Sequence, residues 1–248
     1  MRKHGAQMYS TKDLIEFDGK GHLYRRRSDG MPIPGVTSIL RVIAKEALIQ
    51  WAANMASDYW YEAVKAHKVE NIETAYTVWR EAKSAHRDFS LQAANIGTEV
   101  HKYAEARLKS LPPPILETPQ AIKGAEAFDL WLQNHDVQVG ATERICFSQT
   151  HWYAGTCDFV GRIDGSSCVA DFKTSSAIYP EMRLQTAAYQ RALEDECGDK
   201  IEARWIVRFD KKTGAFEAQA FRSDHERDFQ GFLSALNLSK VLKQIDER

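Results

Sequence analysis

Two aspartates and a lysine hold the chemistry this chain could perform. Asp158 sits in Gly155-Thr156-Cys157-Asp158-Phe159-Val160, and Asp171 and Lys173 in Val169-Ala170-Asp171-Phe172-Lys173-Thr174. Two β-prone runs, 156 to 163 and 168 to 172, flank Asp164-Gly165. Asp-Gly between such runs predicts a hairpin, because both turn positions need φ > 0. With Asp164 and Gly165 as the central turn residues, Ile163 pairs with Ser166 and Asp158 falls opposite Asp171. Opposed residues share a sheet face, and Lys173, two residues on, shares it too. Cys157, Phe159 and Phe172 are then expected on the other face, in a core. A four-residue loop sets Asp158 opposite Lys173, still on one face. A three-residue loop without a bulge breaks the cluster.

Carboxylates opposed across a ladder repel, so a cation is expected between them. Lys173 supplies one charge, and a hard divalent metal on oxygen ligands can supply more. Two carboxylates and a lysine on one strand face suit metal-assisted phosphodiester hydrolysis. The metal activates a bound water and steadies charge growing on phosphate, while the lysine orients that water or shares the charge. The competing reading is an ordinary charged sheet face.

The elements that must position this cluster come from a chain of 248 residues, 44% hydrophobic and 27% charged. That is ordinary globular composition with enough apolar material for a sizeable core. Net charge is −1 and the pI is about 6.7, so any nucleic-acid contact must use a local basic surface. There is no apolar run of about 18 residues and no charged-then-apolar leader, which leads us to expect a soluble, cytoplasmic protein without membrane contact. Cys146, Cys157, Cys168 and Cys197 form no Cys-x-x-Cys pair and are expected as buried free thiols.

Along the chain, 14–17 and 22–25 read as a hairpin across Asp18 to Gly21. Arg25, Arg26 and Arg27 follow, either a solvated strand end or a phosphate contact. Residues 32–35 read as a loop. A helix capped by Thr37 is expected from 38 to about 68, a second from 71 to 84 and a third from 89 to 108. Trp51, Trp60 and Trp79 read as core rather than stacking platforms. Residues 111–119 are Pro-rich and read as a stiff linker. A helix over 120–135 is expected to bury Ile122, Ala125, Phe128 and Leu132. Then follow a strand over 137–147 with Glu143, the hairpin, and a helix over 181–194 with Gln185 and Tyr189 on one face. A hairpin across 210–214, a capping box at 223–226 and a last helix to about 243 complete the chain. The expected fold is α/β (α+β): a mixed sheet flanked by helices, in one domain over 1–248. Within it, 1–110 is a β-hairpin plus helical region, 111–119 the linker and 120–248 the core.

These features together resemble a known family. Asp158, the thirteen-residue step to Asp171, and Asp171-Phe172-Lys173 are similar to the core of the PD-(D/E)xK nucleases, although the proline of that name is absent. Gly155-Thr156 and Gln185-Thr186-Ala187-Ala188-Tyr189 resemble the RecB-like branch, as does Gly97-Thr98-Glu99-Val100-His101 upstream. Val36 to Leu40 and Leu48 to Ala52 resemble phage and prophage exonucleases of that branch and the mitochondrial genome maintenance exonuclease group. The resemblance implies Asp158 and Asp171 as metal ligands with the Phe172 carbonyl, and His101 completing the coordination. It implies Lys173 acting on the attacking water. It also implies Gln185 and Tyr189 supporting Lys173 and touching DNA, with Thr174 beside them. Glu143 lies where many relatives carry an acidic residue near the metals, though a surface salt bridge explains it equally well. Glu105, one turn after His101, is expected to be solvated.

The implied cofactor is Mg²⁺, with Mn²⁺ substituting, and neither an iron-sulphur cluster nor a nucleotide, since four-cysteine and Gly-Lys-Ser/Thr motifs are missing. The implied partner is DNA, held by its backbone without strong sequence preference. A single-strand annealing protein and self-association enter through the family alone. The leading expectation is a stand-alone DNA exonuclease of phage or prophage recombination. The alternatives are an endonuclease with the same chemistry and a nuclease-fold DNA-binding module without catalysis.

Overall fold

The computed structural model describes residues 10–19, 23–43 and 46–247. The chain divides into two units, Met1–Ile43 with Glu99–Arg248, and Ala44–Thr98. The larger unit starts with the one-turn helix α1 (Thr11–Leu14) and a three-stranded antiparallel sheet, β1 (Ile15–Asp18), β2 (Leu23–Arg26) and β3 (Pro32–Ile33). The expected first hairpin forms, with Phe17 opposite Tyr24 and their rings stacked at 4.7 Å. Leu14 belongs to α1 rather than to the strand, and turn residues 20–22 lie outside the described residues. Pro32 and Ile33 form a strand rather than a loop, because Ile33 is buried opposite Tyr24. The proline costs nothing on an edge strand.

The helix expected over 38–68 does not form as one piece. A one-turn helix α2 (Val36–Ile39) and a 3₁₀ turn at Leu40–Val42 end at Ile43, whose backbone is extended. The N-cap is Gly35, and Thr37 lies inside the turn. Val36, Ile39 and Leu40 are buried in the core of the larger unit, so burial there overrides the helical period. The next helix, α3 (Glu46–Lys65), belongs to the smaller unit. The two helices expected over 71–84 and 89–108 are one continuous helix, α4 (Ile72–Leu108). In the smaller unit, α3 and the first part of α4 bury Ala63, Val78, Ala82 and Ala85. Trp51 is half-buried against Phe89 and His86, whereas Trp60 and Trp79 are exposed. The expectation that they are core is corrected: two helices share a single face, and small residues occupy it.

The site rests on a five-stranded sheet in the order of the chain, β4 (Val137–Ser148), β5 (Tyr153–Ile163), β6 (Ser166–Lys173), β7 (Ala203–Phe209) and β8 (Phe216–Phe221). All neighbours are antiparallel except β6 and β7. That parallel pair is bridged by α6 (Pro180–Cys197), as a parallel step requires a crossover. Helix α5 (Pro119–Asn134) covers one sheet face, with α6 and α7 (His225–Asp246) on the other. On the α5 face, Phe128 and Trp131 meet Phe172 and Phe209 with ring centroids 5.5 to 6.3 Å apart. Each such buried ring contributes roughly 1.5–3 kcal/mol. The buried positions of α5 are Ala121, Gly124, Ala125, Ala127, Phe128 and Trp131, while Ile122 is exposed and Leu132 half-buried. The expected α5 face is thus rotated, because Trp131 claims the aromatic cluster. On the opposite face, Arg204 of β7 is fully buried and donates to the carbonyls of Arg183 and Ser223 and to Asp228. This ties β7, α6 and α7 together. It also explains why the capping box at 223–226 is absent: Ser223 turns its carbonyl to Arg204, and Asp224, at φ 62°, is the N-cap.

Residues 111–119 join α4 to α5 inside the larger unit. Among the described residues, no helix is long and apolar enough to cross a membrane.

Helix α5 meets the last turns of α4 at Gly124, where an added Cβ falls 2.6 Å from Val100 Cγ2. Val100 is fully buried beside His101. Gly124→Ala should therefore cost about 1–3 kcal/mol in urea unfolding, the usual scale for overpacking. Wild-type stability would show that the two helices separate freely.

Candidate functional site

The hairpin turn forms as expected: Asp164 and Gly165 have φ of 49° and 79°, and Ile163 pairs with Ser166. The same register sets Asp158 opposite Asp171. The ladder, however, stops one pair earlier, at Phe159 and Ala170. There the Asp158 side chain takes the place of backbone: its Oδ2 accepts from the Phe172 N–H at 2.6 Å. Both polar groups of a strand residue point to the same neighbouring strand, so the Phe172 carbonyl also faces β5. Phe159 and Phe172 are buried, and Phe172 lies in the α5 cluster as expected. Cys157 departs from this. It is buried with Tyr153, Tyr189 and Val169 in the cluster under α6 and α7. Strict alternation fails around Asp158, where β4 is also irregular at Glu143.

Helix α6 brings the rest. Lys173 Nζ forms an ion pair with Asp171 Oδ2 and donates to Gln185 Oε1 at 3.1 Å. Gln185 Nε2 donates to Asp171 Oδ1 at 3.1 Å and to the Tyr189 hydroxyl at 2.8 Å. Gln185 and Tyr189 meet because they lie one turn apart. Gly155 explains how Tyr189 fits: an added Cβ there would fall 2.4 Å from the ring. From α4, His101 Nδ1 lies 3.3 Å from Asp158 Oδ1. Glu143, on β4 in register with Asp158, has φ 48° and is left out of the ladder. A non-glycine residue held there stores strain of order 1–3 kcal/mol, a feature that clusters at functional sites.

His101, Glu143 and Asp158 each offer one ligand atom, and these atoms all lie within 4.8 Å of one another. A hard divalent cation fits two carboxylates and an imidazole with the Asp171 carboxylate alongside. Exposed acidic residues also gather without any ion.

The charges are strongly coupled. Burial pushes the Asp171 carboxyl up to about 6, against the pull of Lys173 and with the push of Asp158. Burial acts to raise Asp158 as well, but His101 and Lys173 pull it below the ordinary value. Burial alone would lower Lys173; Asp171 and Asp158 more than offset it, so the group is raised and is an ammonium at neutral pH. His101 is raised in the same way by Asp158.

The structure thus brings together His101, Glu143, Asp158, Asp171, Lys173, Gln185 and Tyr189. Thr174 follows β6 and is half-buried. Glu105 is ion-paired with Lys109. Arg25, Arg26 and Arg27 stay with the three-stranded sheet: Arg25 donates to the Gly30 carbonyl, Arg26 pairs with Asp29 and lies over Trp152, and Arg27 donates to the Lys12 carbonyl. Among the described residues, no hydrogen bond or ion pair joins them to the carboxylates of the site. Cys146, Cys157 and Cys168 are buried free thiols, whereas Cys197 is exposed at the end of α6. Two supports escaped the sequence reading, the buried Arg204 and the close contact at Gly124. Their only trace is a charged residue in an apolar strand and a glycine inside a helix.

Glu143 generates a pH prediction. Loss of water around its carboxyl, and then the Asp158 charge, raise it from 4.5 to about 7. Between those values the folded chain holds a proton that the unfolded chain has lost, so this group's stabilising contribution fades as pH rises through about 7. Glu143 is exposed as a residue, so the effect is modest. In metal-free buffer, Glu143→Gln should raise the melting temperature more at pH 8 than at pH 5. An equal shift at both values would show that the carboxyl titrates normally.

No protein-family model matches the chain, and no curated protein matches it. Among solved structures, 17 chains match. One, the crystal structure of SSO0001, is 15% identical, with 58% of this chain and 74% of that chain covered, at a TM-score of 0.28. At that score the likeness carries no argument about function.

Proposed function

We propose that this chain is a divalent-metal-dependent deoxyribonuclease that hydrolyses phosphodiester bonds from DNA ends. The observation that carries the reading is the closed network in which Asp171 and Gln185 both hold Lys173 while Asp158 faces His101. A surface of solvated charges has no need of a lysine clamped from two elements. His101, Glu143 and Asp158 would hold the metal, Mg²⁺ with Mn²⁺ as its substitute, and Asp171 and the Phe172 carbonyl would adjoin it. When bound, such an ion supplies an activated water and stabilises charge on phosphate.

The residues of the chain do the rest. Lys173 is an ammonium, so it orients the attacking water and stabilises developing negative charge rather than accepting a proton. Asp171 and Gln185 fix its Nζ, and Tyr189 fixes Gln185. Thr174 and the arginines of the three-stranded sheet are the candidate backbone contacts, and contacts of that kind suit an enzyme that must accept any sequence. Recombination or DNA processing in a prophage is the setting this reading favours.

Two variants test the chemistry. Lys173→Ala should lose at least about a hundredfold in cleavage rate while keeping its circular dichroism and most DNA binding; cleavage at the wild-type rate would sink the proposal. Asp158→Asn should weaken Mg²⁺ or Mn²⁺ binding in calorimetry by at least about tenfold. Unchanged affinity removes Asp158 from the metal site. End dependence is checked by comparing linear DNA with covalently closed circles: equal rates would replace the exonuclease with an endonuclease.

A further inference from the structure

We infer that Arg208 on β7 binds a backbone phosphate of the polynucleotide next to the one that is cut. This rests on the hydrolase reading above. The parallel β6–β7 register pairs Lys173 with Arg208, so the two cations stand on neighbouring strands about 4.8 Å apart in backbone. They share a face. Arg204, four residues earlier on β7, reaches the carbonyl of Arg183 on α6 and Asp228 on α7. Phe209 joins the cluster on the α5 side. By alternation Arg208 therefore lies on the face of Asp171 and Lys173.

Arg208 stands opposite Glu217 on β8, an ion pair that offsets the like charge of Lys173 beside it. Its hydrogen bonding supports a ligand. Arg208 Nε donates to Glu217 and Nη1 to Asp210, both at 3.1 Å. Nη2 has no hydrogen-bond partner among the described residues, and the side chain is 15% exposed. Lys173 is occupied by Asp171 and Gln185, so Arg208 is not needed to balance them. Two carboxylates thus hold a planar guanidinium in place with one donor edge open. A guanidinium matches phosphate oxygens well, and holding it in advance lowers the entropy lost on binding.

The test measures binding of a fluorescein-labelled single-stranded oligonucleotide across a salt series, with Ca²⁺ replacing Mg²⁺. Arg208→Gln should weaken binding about tenfold. It should also reduce the slope of log affinity against log salt by about 0.7, the signature of one lost phosphate contact on a single strand. Arg208→Lys should restore the slope. In cleavage assays with Mg²⁺, Arg208→Gln should raise KM and leave kcat nearly unchanged. Asp210→Asn removes one brace and keeps the guanidinium, so its slope should stay that of wild type. The inference is overturned if Arg208→Gln keeps the wild-type slope, if Arg208→Lys fails to restore it, or if Asp210→Asn loses as much slope. Each of those results makes Arg208 a brace of the β7–β8 turn. A wild-type chain that binds the oligonucleotide but cuts nothing ends the hydrolase reading, while the salt slope still decides the role of Arg208. A wild-type chain that binds none ends both.

Discussion

Two carboxylates forced onto neighbouring positions of one ladder set the terms for the rest of this structure. At a separation of ~5 Å and an effective dielectric near 20, like charges repel by roughly 3 kcal/mol. The hairpin register carries Asp158 and Asp171 to adjoining positions just past the last ladder pair, Phe159 and Ala170, and Asp171 is buried. The fold answers with the Lys173 ammonium from the strand of Asp171 and the His101 imidazole from α4. Asp158 gains a third support in the Phe172 N–H, at the cost of one ladder pair. Removing Lys173 takes the ion pair from the buried Asp171, which costs more stability than losing a surface pair even where the fold is kept.

The helices around the sheet serve that cluster unequally. Helix α6 both supplies Gln185 and Tyr189 and is anchored by the buried Arg204 at the Arg183 carbonyl. Only Leu184 separates the anchor from Gln185, so the amide that holds Lys173 sits beside a point of the helix tied to β7. Helix α5 contributes no site residue. Its role is the aromatic layer with Phe172 and Phe209, and the close fit of Gly124 against Val100, one position from His101. The strain at Glu143 is then tolerated because packing on both faces determines the strand around it.

Much of this was legible in the chain because it was written in local chemistry. Asp164-Gly165 demands positive φ, which determines the turn and with it the register from Ile163 and Ser166 back to Phe159 and Ala170. The spacing of Gln185 and Tyr189 is one helical turn, and their contact follows. What was not legible depended on distant partners. Val36, Ile39 and Leu40 follow a helical period, yet burial under α6 and α7 stops the helix at Ile43. Ser223 looks like a cap until Arg204 takes its carbonyl. Trp60 and Trp79 look like core until α3 and α4 prove to bury alanines instead. Cys157 follows strict alternation on paper, but the ladder is irregular where Glu143 sits. In each case a tertiary contact overrode a local preference.

The two-residue turn at Asp164-Gly165 also acts as a counter of parity. One residue added there would rotate every position of β6 to the opposite face. Asp171 and Lys173 would then enter the layer of Phe128, Trp131 and Phe209, while Phe172 would turn toward Gln185. Changes of length in pairs keep the faces as they are. Chains descended from the same ancestor can therefore vary this loop in even steps of length, provided residues that accept positive φ stay at the turn. An odd step survives only with a compensating bulge, of the kind β4 already carries between Val139 and Ala141.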